Sequence, residues 1–249
     1  SDDDLYAQRM LREDVVDKVI KRDVLTLFKV RSPLLMEKLF LYLCMNSTEI
    51  FSATTAAKEL DNISPNTIES YVDALVKSNL IYMAYPIAVG SKSVLKGRPK
   101  IYIADAAIRN AVLMVDDVLS DERELGLLIE TTVYKHLVSF YQGTGAQLGY
   151  YRKAKENQKE VDAVIELPQH KILCEVKYKN NSHIPQTDGI VELCNDPKAG
   201  ITDAFVITKQ LEDFGVTRHE TSPKIYRIPA IAFLYLIGKE ESDGMSGRL

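Results

Sequence analysis

Glu160-Val161-Asp162-Ala163-Val164-Ile165-Glu166 and, beyond Leu167-Pro168-Gln169-His170, Lys171-Ile172-Leu173-Cys174-Glu175-Val176-Lys177 are the two runs whose reading decides the fold. Each alternates apolar and polar residues, the period of a half-buried strand. Pro ends a strand and suits the first central position of a turn, so a hairpin centred on Pro168-Gln169 sets Asp162 opposite Glu175. Two-residue alternation then places Lys177 on the same face as Glu175. Like charges directly opposite are destabilising, so the carboxylate pair calls for a cation or a shared proton. A hard divalent ion such as Mg²⁺ suits it, because Mg²⁺ takes one or two carboxylates and keeps several waters.

The 249 residues are enough for two modest domains, and a net charge of −4 exerts no global pull on nucleic acid. Any nucleic-acid surface must therefore be a local basic patch. Cys44, Cys174 and Cys194 lie far apart in apolar contexts, as reduced packing residues do. Without a signal peptide or an apolar run of spanning length, the chain is expected to be cytoplasmic and not to contact a membrane. The acidic start Ser1-Asp2-Asp3-Asp4 is consistent with a fragment carrying a cloning remnant. No Gly-rich phosphate loop ending in Gly-Lys-Ser/Thr occurs, and His136, His170, His183 and His219 show no ligand spacing.

Residues 5–30 carry apolar positions at helical spacing, and a second helix is expected from Ser32-Pro33, with Ser as N-cap and Pro at the first helical position. Residues 52–103 then read as helix, turn (Asp61-Asn62-Ile63-Ser64), helix from Ser64-Pro65, strand (Leu80 to Met83), basic loop, and strand (Ile101 to Ile103). This layout resembles a winged helix-turn-helix. Lys92, Lys96, Arg98 and Lys100 would grip a DNA backbone from the loop, whereas the second helix exposes Asn66, Glu69, Asp73 and Lys77, a face that suits protein contact at least as well. Beyond 104–122, a linker with some helix (Ala106 to Val115), come a helix over Leu125 to Tyr141, a strand at Tyr150-Tyr151-Arg152 and the hairpin. A helix at 186–196, strands at Ala204 to Thr208 and Lys224 to Ile228, and a terminal helix at Ile231 to Ile237 complete the order. The expected fold is α/β with a mixed sheet.

With Glu130 on the helix before the hairpin, Glu130…Asp162…Glu175-Val176-Lys177 resembles the core of the PD-(D/E)XK nuclease superfamily. More narrowly, the chain is similar to the C-terminal half of a family of prokaryotic AAA-type ATPases, a winged helix plus nuclease-like region of unknown function. The similarity runs through Val19 to Val24, Pro65 to Ser78, Pro86, Lys100 to Asp105, Gly126 to Glu130, Tyr151-Arg152, Glu160 to Asp162 and Glu175 to Lys177.

The resemblance implies a helical joint to an absent ATPase half over 1–48, a winged helix over 49–112, a restriction-endonuclease-like domain over 113–238, and a disordered tail over 239–249. It further implies Mg²⁺ (or Mn²⁺) held by Asp162, Glu175 and the Val176 carbonyl, with Glu130 completing the shell or holding a water. Lys177 would orient the attacking water or stabilise the charge of the transition state. Arg152, Lys153 and Lys179 flank this site and could grip phosphates. The expected activity is hydrolysis of DNA phosphodiesters; the alternative is a catalytically silent module that binds nucleic acid or protein for the ATPase.

Overall fold

The computed structural model describes residues 2–28, 30–89, 97–115, 117–153 and 159–246, and the chain forms two compact units, Ser1–Met83 with Arg98–Ser120, and Ala84–Gly97 with Asp121–Leu249. No helix among the described residues is long and apolar enough to cross a membrane.

The first unit opens with α1 (Asp2–Arg12), a wider π-type helix over Glu13–Val24 in which Leu25 N–H reaches back to the Ile20 carbonyl, and α2 (Leu25–Leu27). α3 (Pro33–Met45) starts as expected: the Ser32 hydroxyl accepts from Leu35 N–H and Pro33 takes the first helical position. Ser52 caps α4 (Ala53–Glu59) in the same way. Ser64 precedes α5 (Pro65–Lys77) with extended backbone but no side-chain cap, so Pro65 alone marks that start. Asp61 and Asn62 make the α4–α5 turn at φ of 63° and 56°, a left-handed conformation that short polar residues tolerate. β1 (Ile81–Pro86) and β2 (Lys100–Ile103) follow, then α6 (Ala106–Leu113), capped by Asp105. Residues 48–51, entered through Thr48 in a left-handed turn conformation (φ 69°), run along β2 through Thr48 N–H to Ile101 O, Ile101 N–H to Glu49 O and an Ile50–Lys100 bridge.

One core serves this unit. Ile20 and Val24 from the N-terminal helices, Leu39 and Leu43 from α3, Ile68 and Leu75 from α5, and Ile101 and Ile103 from β2 are all buried in it together. The boundary expected near residue 48 therefore does not separate two cores.

The second unit holds a mixed sheet. Tyr85 and Pro86 at the end of β1 pair in parallel with β3 (Gln147–Arg152), which pairs antiparallel with β4 (Glu160–Glu166), and that with β5 (Lys171–Lys177). β6 (Asp203–Thr208) and β8 (Ile225–Pro229) extend the sheet in parallel, and the short β7 (Gly215–Val216) closes it antiparallel. Its helices are α7 (Glu122–Tyr141), α8 (Gly189–Asn195) and α9 (Ala230–Ser246). α9 continues helically past Gly238, where a disordered tail was expected, through residues 239–246; the rest of that tail, 247–249, lies outside the described residues.

The β4–β5 hairpin has the expected register: Leu167 and His170 exchange backbone hydrogen bonds around Pro168-Gln169, and Ala163 faces Cys174. Parallel partners share a face, so Leu173, Ala204 and Ile225 point with Val164 toward α8, where Ile190, Val191 and Leu193 cover them. Glu175, Val206 and Arg227 form the next row on that face, and Lys177, Thr208 and Pro229 the row after.

Close strand approach depends on Gly149, where an added Cβ would lie 2.0 Å from Tyr85 O and 2.9 Å from an Ile87 side-chain carbon. Gly149→Ala is expected to cost at least about 1–3 kcal/mol by overpacking. Gly126 sits in α7 with nothing within 4 Å of the added carbon, so Gly126→Ala should stabilise by about 0.5–1 kcal/mol. Chemical denaturation of the two variants should move the midpoint in opposite directions.

Candidate active site

A bulge in β4 builds the centre of the site. Gly149 pairs with Val164 and Tyr151 with Val161, so β4 spends three steps where β3 spends two. The extra residue falls at Asp162-Ala163. A bulge bends its strand, ends regular pairing and re-aims a side chain. Past Ala163–Cys174 the backbone ladder between β4 and β5 indeed stops, and carboxylates take over as acceptors. Asp162 Oδ2 accepts from Val176 N–H at 2.9 Å, and Glu175 Oε2 accepts from Asp162 N–H at 3.3 Å. The two acids are thus held by backbone donors on opposite strands.

Lys177 lies beside them. Its Nζ donates to Glu175 Oε1 at 2.6 Å and sits 3.2 Å from Asp188 Oδ2. Burial, followed by the nearby Asp162 charge, pushes the Glu175 carboxyl well above its usual range, with Lys177 acting in the opposite sense. Burial alone would lower Lys177, but Glu175 and then Asp188 outweigh it, and its pKa is raised. The ammonium is therefore firmly charged.

Asp188 was not singled out from the sequence. It caps α8 by accepting from Ile190 N–H, and its side chain is only 10% exposed. Gly189 lets the start of α8 lie against β4, because a Cβ there would meet Glu160 O at 2.6 Å. Asp188-Gly189 ahead of Ile190, Val191, Leu193 and Cys194 is a readable helix start. Nothing in that local pattern says that the cap faces Lys177.

Asp162, Glu175, Val176 and Lys177 are thus brought together. Glu130 is half-buried on α7, and among the described residues no group of three or more His, Cys, Asp or Glu side chains is arranged to hold a metal. A preformed three-acid centre that includes Glu130 is therefore absent among them. Arg152 is half-buried at the end of β3, and Lys179 is exposed with its N–H bonded to Lys177 O. Lys153 lies 3.4 Å from Glu192 on α8, a carboxylate it shares with Lys159. In the basic segment, Lys92 and Lys96 lie outside the described residues, and Arg98 is exposed. Lys100 corrects the expected set: it is 3% exposed, because it begins β2 and bridges Ile50 instead of ending a surface loop.

The donor set fits a cation that needs few protein ligands. Asp162 and Glu175 are hard oxygen donors, and the crowding that raises Glu175 would be relieved by a divalent charge. That suits Mg²⁺ or Mn²⁺ completed by water, held by the pair and the Val176 carbonyl.

Two sequence similarities meet near one junction of the two units. Residues 1–119 match a family described as Domain of unknown function (DUF8612), and residues 125–230 one described as Domain of unknown function (DUF4143). The interval between them contains the junction of the two units at Ser120–Asp121. Among curated proteins none matches the chain. Among solved structures, protein VC1899 from Vibrio cholerae is similar at 13% identity, with 96% of this chain and 56% of that chain covered and a TM-score of 0.32. The chain thus spans about half the length of that protein, and a likeness of this degree establishes neither fold nor function.

The raised Glu175 carboxyl has a consequence for stability. A carboxyl raised in the folded state binds its proton more tightly there than in the unfolded chain, so stability falls as pH rises from its ordinary value toward the raised one. Glu175→Gln removes that dependence. The stability of the variant relative to wild type should therefore increase as pH rises above the ordinary carboxylate range, as urea denaturation at successive pH values would measure.

Proposed function

We propose that the second unit is a metal-dependent phosphodiesterase acting on DNA. The observation that carries this reading is the end of the β4–β5 ladder, where Asp162 and Glu175 are presented side by side with the Lys177 ammonium 2.6 Å from Glu175. Two acids and one cation on adjoining strands suit in-line attack of water on a phosphate. Asp162, Glu175 and the Val176 carbonyl would hold the ion, which, when bound, lowers the pKa of its water and screens the scissile phosphate. Lys177 holds an ammonium where negative charge develops. Glu130 has the lesser role of hydrogen-bonding a water from α7. Lys179, exposed beyond β5, and Arg152 at the end of β3 would contact flanking phosphates.

The DUF4143 match over 125–230 supports reading the chain as the C-terminal region of an AAA-type ATPase, with the nucleotide site on a segment that is not in this sequence. In the first unit, α4, the Asp61-Asn62 turn, α5 and the strands β1 and β2 support a winged-helix reading. Docking on DNA would then fall to Arg98 and the segment with Lys92 and Lys96. A second reading of this unit has an observation in its favour: Lys100 is buried, and the exposed face of α5 carries Glu69 and an Asp73–Lys77 ion pair. Such a face suits a protein partner, and it would leave the unit a contact module of the ATPase.

Cleavage of single- and double-stranded DNA with Mg²⁺ or Mn²⁺ tests the phosphodiesterase. Asp162→Ala and Lys177→Ala should each lower the rate by at least about a hundredfold. Equal rates in the variants and wild type would end the assignment. For docking, DNA affinity should fall with rising salt, and Lys92→Ala with Lys96→Ala should flatten that dependence by about two phosphate contacts. An unchanged slope would leave protein contact as the reading of the first unit.

A further inference from the structure

We propose that Asp188 is a positioning residue for Lys177, the second carboxylate that keeps the ammonium at the site once a cation engages Glu175. This rests on the reading of Asp162 and Glu175 as the cation's ligands.

Lys177 reaches two carboxylates, Glu175 at 2.6 Å and Asp188 at 3.2 Å. They differ in what else they do. Glu175 faces Asp162 across the end of the ladder, in the pair that would take up a divalent ion. Asp188 comes from a separate element, and its side chain accepts from Ile190 N–H and meets the Lys177 ammonium. When an ion sits on Glu175, its charge repels an ammonium on the same carboxylate. A lysine on a flexible four-carbon stem would then swing toward water unless another anion holds it.

Asp188 is built to be that anion. Its Oδ1 is occupied by Ile190 N–H at 3.4 Å, which leaves Oδ2 as the oxygen facing Lys177. Its N–H donates to Pro185 O, and the close packing of Gly189 on Glu160 O pins the start of α8 to β4 two residues from Asp162. The anchor is therefore fixed to the strand that presents the other acid. The ammonium needs no large movement to pass from a shared to a single partner, and an ordered ammonium is what a group aimed at a developing charge requires.

The test is nuclear magnetic resonance of the Lys177 ammonium, whose protons exchange slowly enough to be seen only while hydrogen-bonded, in a titration of the full chain with MgCl₂. The Val176 and Asp162 amides report arrival of the ion, because they bond to the two carboxylates. Asp188→Asn is the informative variant, since Asn still caps a helix, and Asp188→Glu is its charge-retaining companion. Before Mg²⁺, the Lys177 resonance is expected in wild type and in both variants, held by Glu175. At saturating Mg²⁺ it should persist in wild type and in Asp188→Glu and be lost in Asp188→Asn. Persistence in Asp188→Asn, or loss in wild type, with the two amides shifted, overturns the role of Asp188 alone. Amides that do not respond to Mg²⁺ in wild type overturn the cation reading itself and the proposal with it.

Discussion

The second unit turns on the place where the β4–β5 ladder stops. Antiparallel strands ordinarily continue pairing until a turn or an edge ends them, because each unpaired buried N–H carries a cost of about 1–3 kcal/mol. Here an extra residue at Asp162-Ala163 shifts β4 against β3, the β4–β5 pairing ends at Ala163–Cys174, and the side chains of Asp162 and Glu175 accept from Val176 N–H and Asp162 N–H. The hydrogen bonds that replace the β4–β5 ladder therefore hold the acids. A site made in this way is as rigid as the strands that carry it.

That arrangement concentrates charge. Glu175 is 6% exposed and lies against Asp162, while Lys177 answers it from two residues along the same strand. A buried ion pair compensates its desolvation only with good geometry and further partners. α8 supplies the further partner in Asp188, and a glycine at its first turn makes the approach possible. Two carboxylates, Glu175 and Asp188, thus meet one ammonium, and Asp162 raises the cost of charge on Glu175 from the facing strand.

The local parts of this design could be read from the chain. Pro168-Gln169 in the turn and the alternation on either side placed Asp162 opposite Glu175, and the backbone has that pairing frame. The Ser-Pro pairs at 32–33 and 64–65 marked two helix starts, although only Ser32 caps with its side chain. The bulge was not readable, because it exists only relative to β3 and the residues of β3 pair across the sheet. Asp188 was not singled out within the helix read over 186–196, because nothing local says what a helix cap faces. Lys100 looked like part of a basic loop, since the short run Lys100–Ile103 hides where loop ends and strand begins. The N-terminal helices looked separable from the helices that follow, yet Ile20 and Ile101 share a core.

Residue order by itself therefore determined the hairpin, its register and the face shared by Glu175 and Lys177, because turns and strand alternation act between neighbours. Tertiary structure decided the rest: which backbone donors Asp162 and Glu175 take, that Asp188 closes on Lys177, and that Glu130 stays outside a preformed cluster among the described residues. These depend on strand approach at Gly149 and helix approach at Gly189, contacts between residues remote in sequence. No local pattern encodes them, since their free energy comes from packing surfaces that meet only when the whole sheet has formed.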